Sequence, residues 1–328
     1  MTHFDVFNGD ADGICALHQL RLANPIASSL ITGVKRDVTM LARVPARRGD
    51  AVTVLDISLD TNREALLELL GRGVQVEYFD HHFSGDIPLH PRLMACIETE
   101  PTVCTSLLVN RYLGGKYPLW AIVGAFGDHL PDAAHRLARC HALRAEQTHQ
   151  LRELGESINY NAYGDAEADL LIPPARLYES LLPYADPFQF ILAAPITRAL
   201  HDGRRQDMEM AMRQRASIVL PCGAIYVLPD VAWARRVRGV FSNHLASSHP
   251  GLAHAVLTVN AQGGYTVSVR APIASPFGAD RLCRQFESGG GRSAAAGINC
   301  LARDGLPQFM RAFEEVFSVG GAAQNASP

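Results

Sequence analysis

The chain has 328 residues, of which 48% are hydrophobic and 19% charged, and its formal net charge is -3. That length accommodates two domains of ordinary size, and the balance of residues excludes a disordered chain. The basic excess that supports binding along long DNA or RNA is missing.

Met1-Thr2-His3-Phe4-Asp5 carries neither the basic start nor the apolar core of a secretory leader. No apolar run reaches the roughly 18–20 residues that span a bilayer, so a cytoplasmic location without membrane contact is expected. The seven cysteines are scattered, with no C-x-x-C pair, which argues against a disulfide framework or zinc ribbon.

In chain order, Phe4–Phe7 reads as a strand and Gly13–Leu22 as the helix after it. Val52–Leu55 is a second buried strand, followed by a helix over Thr61–Leu70 whose apolar face holds Leu66, Leu67, Leu69 and Leu70. Val74–Phe79 is a third strand. This alternation predicts an α/β fold whose N-terminal domain has a mainly parallel sheet flanked by helices. The apolar run Ala121–Phe126 fits either a strand or a buried helix segment. Ala133–Ile158 has the pattern of one long, charged surface helix. Pro173-Pro174 and Pro183–Pro187 then punctuate the chain. The expected division is a domain over 1–185, a linker over 186–215 and a C-terminal domain over 216–328.

The C-terminal domain is expected to be a smaller α/β unit with a mixed sheet, facing the first across a cleft. Its strands are Ala224–Leu228, Ala255–Val259 and Tyr265–Val269, the last two joined by a hairpin turn at Asn260–Gly264. Helices are expected over Ala232–Ser247, Ala279–Phe286 and Pro307–Val316, with a frayed tail over Gly320–Pro328. The densest basic stretch, Trp233-Ala234-Arg235-Arg236-Val237-Arg238, fits a solvated helix face and a nucleic-acid contact equally well.

Chemistry is concentrated in four places: Asn8-Gly9-Asp10-Ala11-Asp12-Gly13, Asp56, Asp80-His81-His82 and Asp128. Each is expected to follow or end a strand. Taken singly, Asp10 and Asp12 suit a turn and helix N-cap, and Asp56 a strand-end turn. Asp80-His81-His82 has no packing reason to end an apolar strand. In an open parallel sheet such strand ends converge on one ligand site. Crowded carboxylates repel unless cations join them, and a mixed carboxylate and imidazole set suits Mn²⁺, with Mg²⁺ a close competitor.

The ordered set resembles the motifs of the DHH phosphoesterase superfamily, named for the triplet seen here as Asp80-His81-His82. The C-terminal half is similar to that family's associated domain, with a glycine-rich signature that reads Gly289-Gly290-Gly291-Arg292-Ser293-Ala294-Ala295-Ala296-Gly297. The resemblance implies a hydrolase that uses two divalent metal ions, Mn²⁺ ahead of Mg²⁺, to cleave phosphoester bonds in short nucleotides. It implies Asn8, Asp10, Asp12, Asp56, His81 and Asp128 as metal ligands. Asp80 and His82 would serve catalysis beside them, and Ser268, Arg270, Gly289, Gly290, Gly291 and Arg292 would hold substrate. Expected partners are a short nucleotide or oligonucleotide, with no membrane and no long duplex; a homodimer is left open. Two positions depart from the family pattern: Asn8 stands where relatives carry His or Asp, and Arg292 where they continue with His. A pyrophosphatase-like hydrolase and a nucleotide-binding regulator without turnover are the competing readings. Thr102–Ser106 is expected to open a helix beneath the site.

Overall fold

The computed structural model describes residues 1–260 and 262–318; Ala261 of the expected hairpin turn and the tail Gly320–Pro328 lie outside them. The chain forms two compact units, Met1–Arg204 and Arg205–Pro328.

The first unit is built on a five-stranded parallel sheet, β1 (His3–Phe7), β2 (Ser29–Ile31), β3 (Ala51–Leu55), β4 (Gln75–Asp80) and β5 (Leu93–Ile97), ordered β2-β1-β3-β4-β5. Alternation with period two sends Phe4, Val6, Val52, Val54, Val76 and Tyr78 to one face, where they pack on Met40, Leu66 and Leu69. Phe7, Leu55 and Phe79 point to the other, against Ile14, Leu17, Cys104 and Trp120. The helices are α1 (Ala11–Ala23), α2 (Arg63–Gly71), α3 (Thr105–Tyr112), α4 (Pro118–Gly127), α5 (Pro131–Cys140), α6 (Ala145–Asn161), α7 (Pro174–Leu181), α8 (Pro187–Ala193) and α9 (Pro195–Met212). The chain leaves β1 toward β2 on one side and reaches β3 on the other. The gap between the carboxyl ends of β1 and β3 is therefore the point where connections diverge, the position at which open α/β sheets as a class take their ligands.

Several expectations are revised. The run Ala121–Phe126 is helix α4, and its flanking Pro118 sits in the first turn, where a missing N–H costs nothing. The single surface helix over Ala133–Ile158 is two helices, broken where Ala142 takes φ 53°. The second of them is no surface helix, since Leu151, Leu154 and Ile158 are buried in the core. Residues 186–215 are mostly α8 and α9 rather than a linker, because Pro187 and Pro195 start helices instead of ending them. The edge strands β2 and β5 have too little periodicity of their own to be read locally.

The second unit has a six-stranded mixed sheet of β6 (Ile218–Leu220), β7 (Gly223–Val227), β8 (Ala253–Val259), β9 (Tyr265–Arg270), β10 (Gly289–Arg292) and β11 (Ala295–Leu301), ordered β10-β11-β9-β8-β7-β6. Helix α10 (Ala232–Ser248) lies over β8 and β9. On the apolar face, α11 (Ala279–Cys283) and α12 (Leu306–Phe317) bury Leu282, Phe309 and Phe313 against Val267, Val269, Ala296 and Ile298. The basic stretch on α10 is no open nucleic-acid track: Arg236 donates to buried Asp207 at 2.7 Å and Arg238 to Thr258, while Arg235 pairs with Asp230 at 2.6 Å.

Candidate functional site

The site in the first unit begins where β1 ends. Asp10 is the N-cap of α1: its Oδ1 accepts from the backbone N–H groups of Asp12 at 3.0 Å and Gly13 at 3.1 Å. The modest capping reading of this aspartate therefore holds for one of its oxygens. Its other oxygen accepts from Lys35 Nζ. Asp12, fully buried in the first turn of α1, accepts at Oδ2 from Thr105 N (2.7 Å) and at Oδ1 from Ser106 N (2.8 Å). Its carboxylate thus sits on the N-terminus of α3, where free N–H groups favour negative charge.

Asp56 follows β3 with φ 60°, a left-handed conformation that aspartate tolerates better than most residues. Its Oδ1 accepts from Thr105 Oγ1 at 3.1 Å. Asp80 ends β4 and is fully buried; its Oδ1 holds His82 Nδ1 at 2.7 Å and so fixes the imidazole. His81 Nε2 stands 3.4 Å from Asp56 Oδ1 and 3.6 Å from Asp128 Oδ2.

Asp128 does not follow a strand as expected. It is the C-cap of α4, with its N–H donating to Gly124 O at 2.8 Å. Glycines let that helix end come close: a Cβ at Gly124 would collide with Ser106 Oγ and one at Gly127 with Ala11. A carboxylate at a helix C-terminus faces the negative end of the dipole, an arrangement that a bound cation relieves.

The charges here do not balance. Burial and then the neighbouring Asp12, Asp10 and Asp128 push Asp56 well above the carboxylate range. Burial and Asp12 raise Asp128 to about 6. Asp10 goes the other way: burial would raise it, but Lys35 and the Gly13 N–H hold it at about 2. Burial opposes the Lys35 ammonium, yet Asp10 foremost among the nearby carboxylates keeps it charged far above its ordinary range. Burial would also discharge His82, but Asp80 outweighs it and raises the imidazole.

Two groups among the described residues have ligand atoms within 4.8 Å of one another: Asp12, His81 and Asp128, and Asp56, His81 and His82. Oxygen and imidazole donors in such triads suit Mn²⁺ or Mg²⁺. A cavity of about 180 Å³ opens onto them, lined among others by Asn8, Asp10, Lys35, Asp56, Ser58 and His82. Asn8 accepts at Oδ1 from Asp10 N at 3.3 Å. The sequence reading did not single out Lys35, Ser58 or Asn159, whose Oδ1 accepts from Lys35 at 3.2 Å. A signal for Lys35 existed: the chain holds 28 arginines and only two lysines, Lys35 and Lys116.

In the second unit, the glycine-rich segment is an edge strand, not a flexible loop. Gly289–Arg292 pairs antiparallel with Ala295–Ile298, and the hairpin closes over Ser293 and Ala294. Register places Arg292, Ala295 and Arg270 in one row across β10, β11 and β9. The next row on the same face is Gly290, Gly297 and Ser268. At about 4.8 Å per strand step, the two arginine Cα atoms stand ~10 Å apart over a floor with almost no side chains. Gly289 and Gly291 fall on the opposite face. A Cβ at Gly290 would meet nothing within 4 Å, whereas one at Gly291, at φ 138°, would strike Ala296. Arg270 is already held: Nε donates to Asn243 Oδ1 at 2.6 Å, and Nη1 to Ser268 Oγ at 3.1 Å.

No protein-family model matches the sequence, and no curated protein is similar to it in sequence. Solved structures do match. An exonuclease RecJ bound to manganese superposes with a TM-score of 0.63 at 17% identity, covering 97% of this chain and 90% of that one. RecJ of Thermus thermophilus in complex with Mn²⁺ gives 0.60 at 20% identity over 95% of this chain, which spans 51% of that larger protein. A pGpG-specific phosphodiesterase, PggH of Vibrio cholerae, gives 0.54 at 14% identity and covers 95% of this chain and 97% of its own. Among the described residues no helix is long and apolar enough to cross a membrane. Two units, a parallel sheet carrying the acidic cluster and a mixed sheet carrying the glycine hairpin, give this chain a RecJ-like two-domain fold.

Proposed function

We propose that this protein is a metal-dependent phosphoesterase acting on short nucleotide substrates, linear or cyclic dinucleotides and short oligonucleotides among them. The observation that carries the reading is the meeting of Asp12, Asp56, His81, His82 and Asp128 at the divergence point of the parallel sheet. A divalent cation bound there, Mn²⁺ ahead of Mg²⁺, would acidify a bound water and withdraw charge from the phosphoryl oxygens.

The protein's own groups then have separate tasks. Asp12, Asp56, Asp128 and His81 would hold the cation. Asp80 orients His82, which would exchange a proton with the leaving oxygen. Thr105 holds Asp56 in place through its hydroxyl. In the second unit, Arg270, Ser268, Gly290 and Arg292 would receive a phosphate, with the glycine floor letting it lie against the backbone. The net charge of -3 favours a short substrate held locally over a long polyanion. Resemblance in fold to an exonuclease and to a pGpG phosphodiesterase supports phosphodiester chemistry without choosing between those substrates.

The test is a panel of mononucleotides, linear and cyclic dinucleotides, short oligonucleotides and pyrophosphate, assayed with Mn²⁺ and with Mg²⁺. Mn²⁺-dependent cleavage of short nucleotides is expected. Cleavage of pyrophosphate alone would replace this reading with a pyrophosphatase. Nucleotide binding without turnover would replace it with a regulator.

A further inference from the structure

We propose that the Lys35 ammonium stands in the place of a second divalent cation, so that this centre loads one metal ion rather than two. The inference rests on reading the acidic cluster as a metal centre, and four observations carry it.

Asp10 has no oxygen left without a cationic or N–H partner. One caps α1 and the other accepts from Lys35. Lys35 also lies 3.8 Å from Asp128 Oδ1, so a single positive charge spans two of the carboxylates expected to share metal. Asn8, which lines the same cavity, is neutral and ties its Oδ1 to the Asp10 N–H. Position 8 thus offers a second dication neither a negative charge nor an imidazole, while an ammonium already occupies the neighbouring Asp10 and Asp128 oxygens.

The two ligand groups overlap. Both draw on His81, whose Nε2 faces Asp56 and Asp128 together. One imidazole nitrogen offers one lone pair and serves one ion. The remaining donors complete a single coordination shell more readily than two.

Lys35 is half-buried and tethered in the site from both its backbone and its side chain. Its backbone N–H donates to Ala162 O at 3.0 Å, and Nζ also donates to Asn159 Oδ1 at 3.2 Å. Asn159 is in turn held by donating to Tyr163 Oη at 3.0 Å. The segment before Lys35 approaches the first motif so closely that a Cβ on Gly9 would strike Gly33 O. Finally, residue choice fits the role. In a chain that uses arginine 28 times, a lysine is used here. Its ammonium is a compact point charge close to a cation in shape, whereas the guanidinium is a wide planar fork.

Metal content decides the matter without any assay of turnover. The full chain, stripped with chelator and dialysed against excess Mn²⁺, should hold one ion per chain by elemental analysis. Its electron paramagnetic resonance spectrum should be that of an isolated Mn²⁺. Lys35→Ala should hold two ions and show the spectrum of a spin-coupled pair; Lys35→Met, which keeps the aliphatic stem packed, provides a second test should the alanine variant unfold. Two coupled ions in the unaltered protein would overturn the inference while leaving the metal-centre reading intact. One ion in both folded lysine variants would overturn it as well. No bound ion in any of the proteins would remove the metal centre and this inference together. One ion with no nucleotide cleavage would uphold the inference and reject the substrate.

Discussion

Two buried polar clusters sit on the same sheet of the first unit, and they are wired oppositely. Below the strand ends, Asp5 of β1 and Thr53 of β3 lie in one register row. Arg21 of α1 reaches down to both, donating Nε to Asp5 Oδ2 at 3.0 Å and Nη2 to Asp5 Oδ1 and to Thr53 Oγ1 at 3.1 Å. Ser28 adds a further donor to Asp5 at 2.6 Å. Burial works against the Asp5 carboxylate, but His3, Arg21 and Ser28 hold it below its ordinary pKa. Here both oxygens of the buried carboxylate are met by donors, one of them a guanidinium. At the opposite end of α1, Asp10, Asp12, Asp56 and Asp128 gather around a single ammonium. The first arrangement is what a buried charge needs for stability. The second concentrates like charges, a repulsion that proton uptake or a bound cation relieves and a pattern typical of functional sites.

The sharpest way to break this contrast is to alter one member of each cluster. Asp56→Asn retains a side chain tolerant of the left-handed backbone and removes one negative charge. Turnover should vanish, by at least about 100-fold, since losing even a supporting partner of a metal ligand costs 10–100-fold. Thermal stability of the metal-free protein should hold or rise. A metal-free melting temperature that drops sharply would show that Asp56 belongs to the scaffold instead. Arg21→Leu should do the reverse. It strands a buried carboxylate and should cost about 3–5 kcal/mol in urea unfolding, with the Mn²⁺ affinity of the folded fraction unchanged.

A third buried polar group sharpens the comparison through pH. His18 Nε2 donates to Tyr184 O at 2.8 Å, while its Nδ1 is buried without a partner. Burial lowers its pKa to about 4. The unfolded chain therefore takes up this proton before the native one, and His18 leaves stability intact above about pH 6.5. Below that, stability should fall as pH drops toward 4, by up to roughly 3 kcal/mol. His18→Gln should flatten that slope in pH-resolved denaturation; an unchanged slope would assign the acid sensitivity elsewhere. The smallest effect belongs to the second unit. Arg270→Ala removes one cationic donor from the glycine face and should raise KM about tenfold with little change in kcat, the scale of one charge-assisted hydrogen bond. An unaltered KM on the cleaved nucleotide would take Arg270 out of substrate binding.

Much of the scaffold was legible because its signals are local. Phe4–Phe7, Val52–Leu55 and Val74–Phe79 are apolar runs that end in polar residues, and each is within a residue or two of an observed strand. Asp128 was identified as a residue but misplaced in its element, since the apolar run before it has no period that separates strand from buried helix. The arginines of α10 looked like a surface stripe because sequence does not reveal that Asp207 and Thr258 wait beneath them. The glycines at 289–291 were legible as a substrate-holding signature, but their strand character depends on pairing with a segment that closes the hairpin.

By itself the sequence determined where Asp10, Asp56 and Asp80-His81-His82 emerge, because each stands at the end of, or just after, an apolar strand. Only the tertiary structure decided the company they keep. Lys35 lies in a stretch without regular structure and comes to Asp10 through a close backbone approach that glycine permits. Such contacts are set by packing between distant segments, and packing has no local period to read.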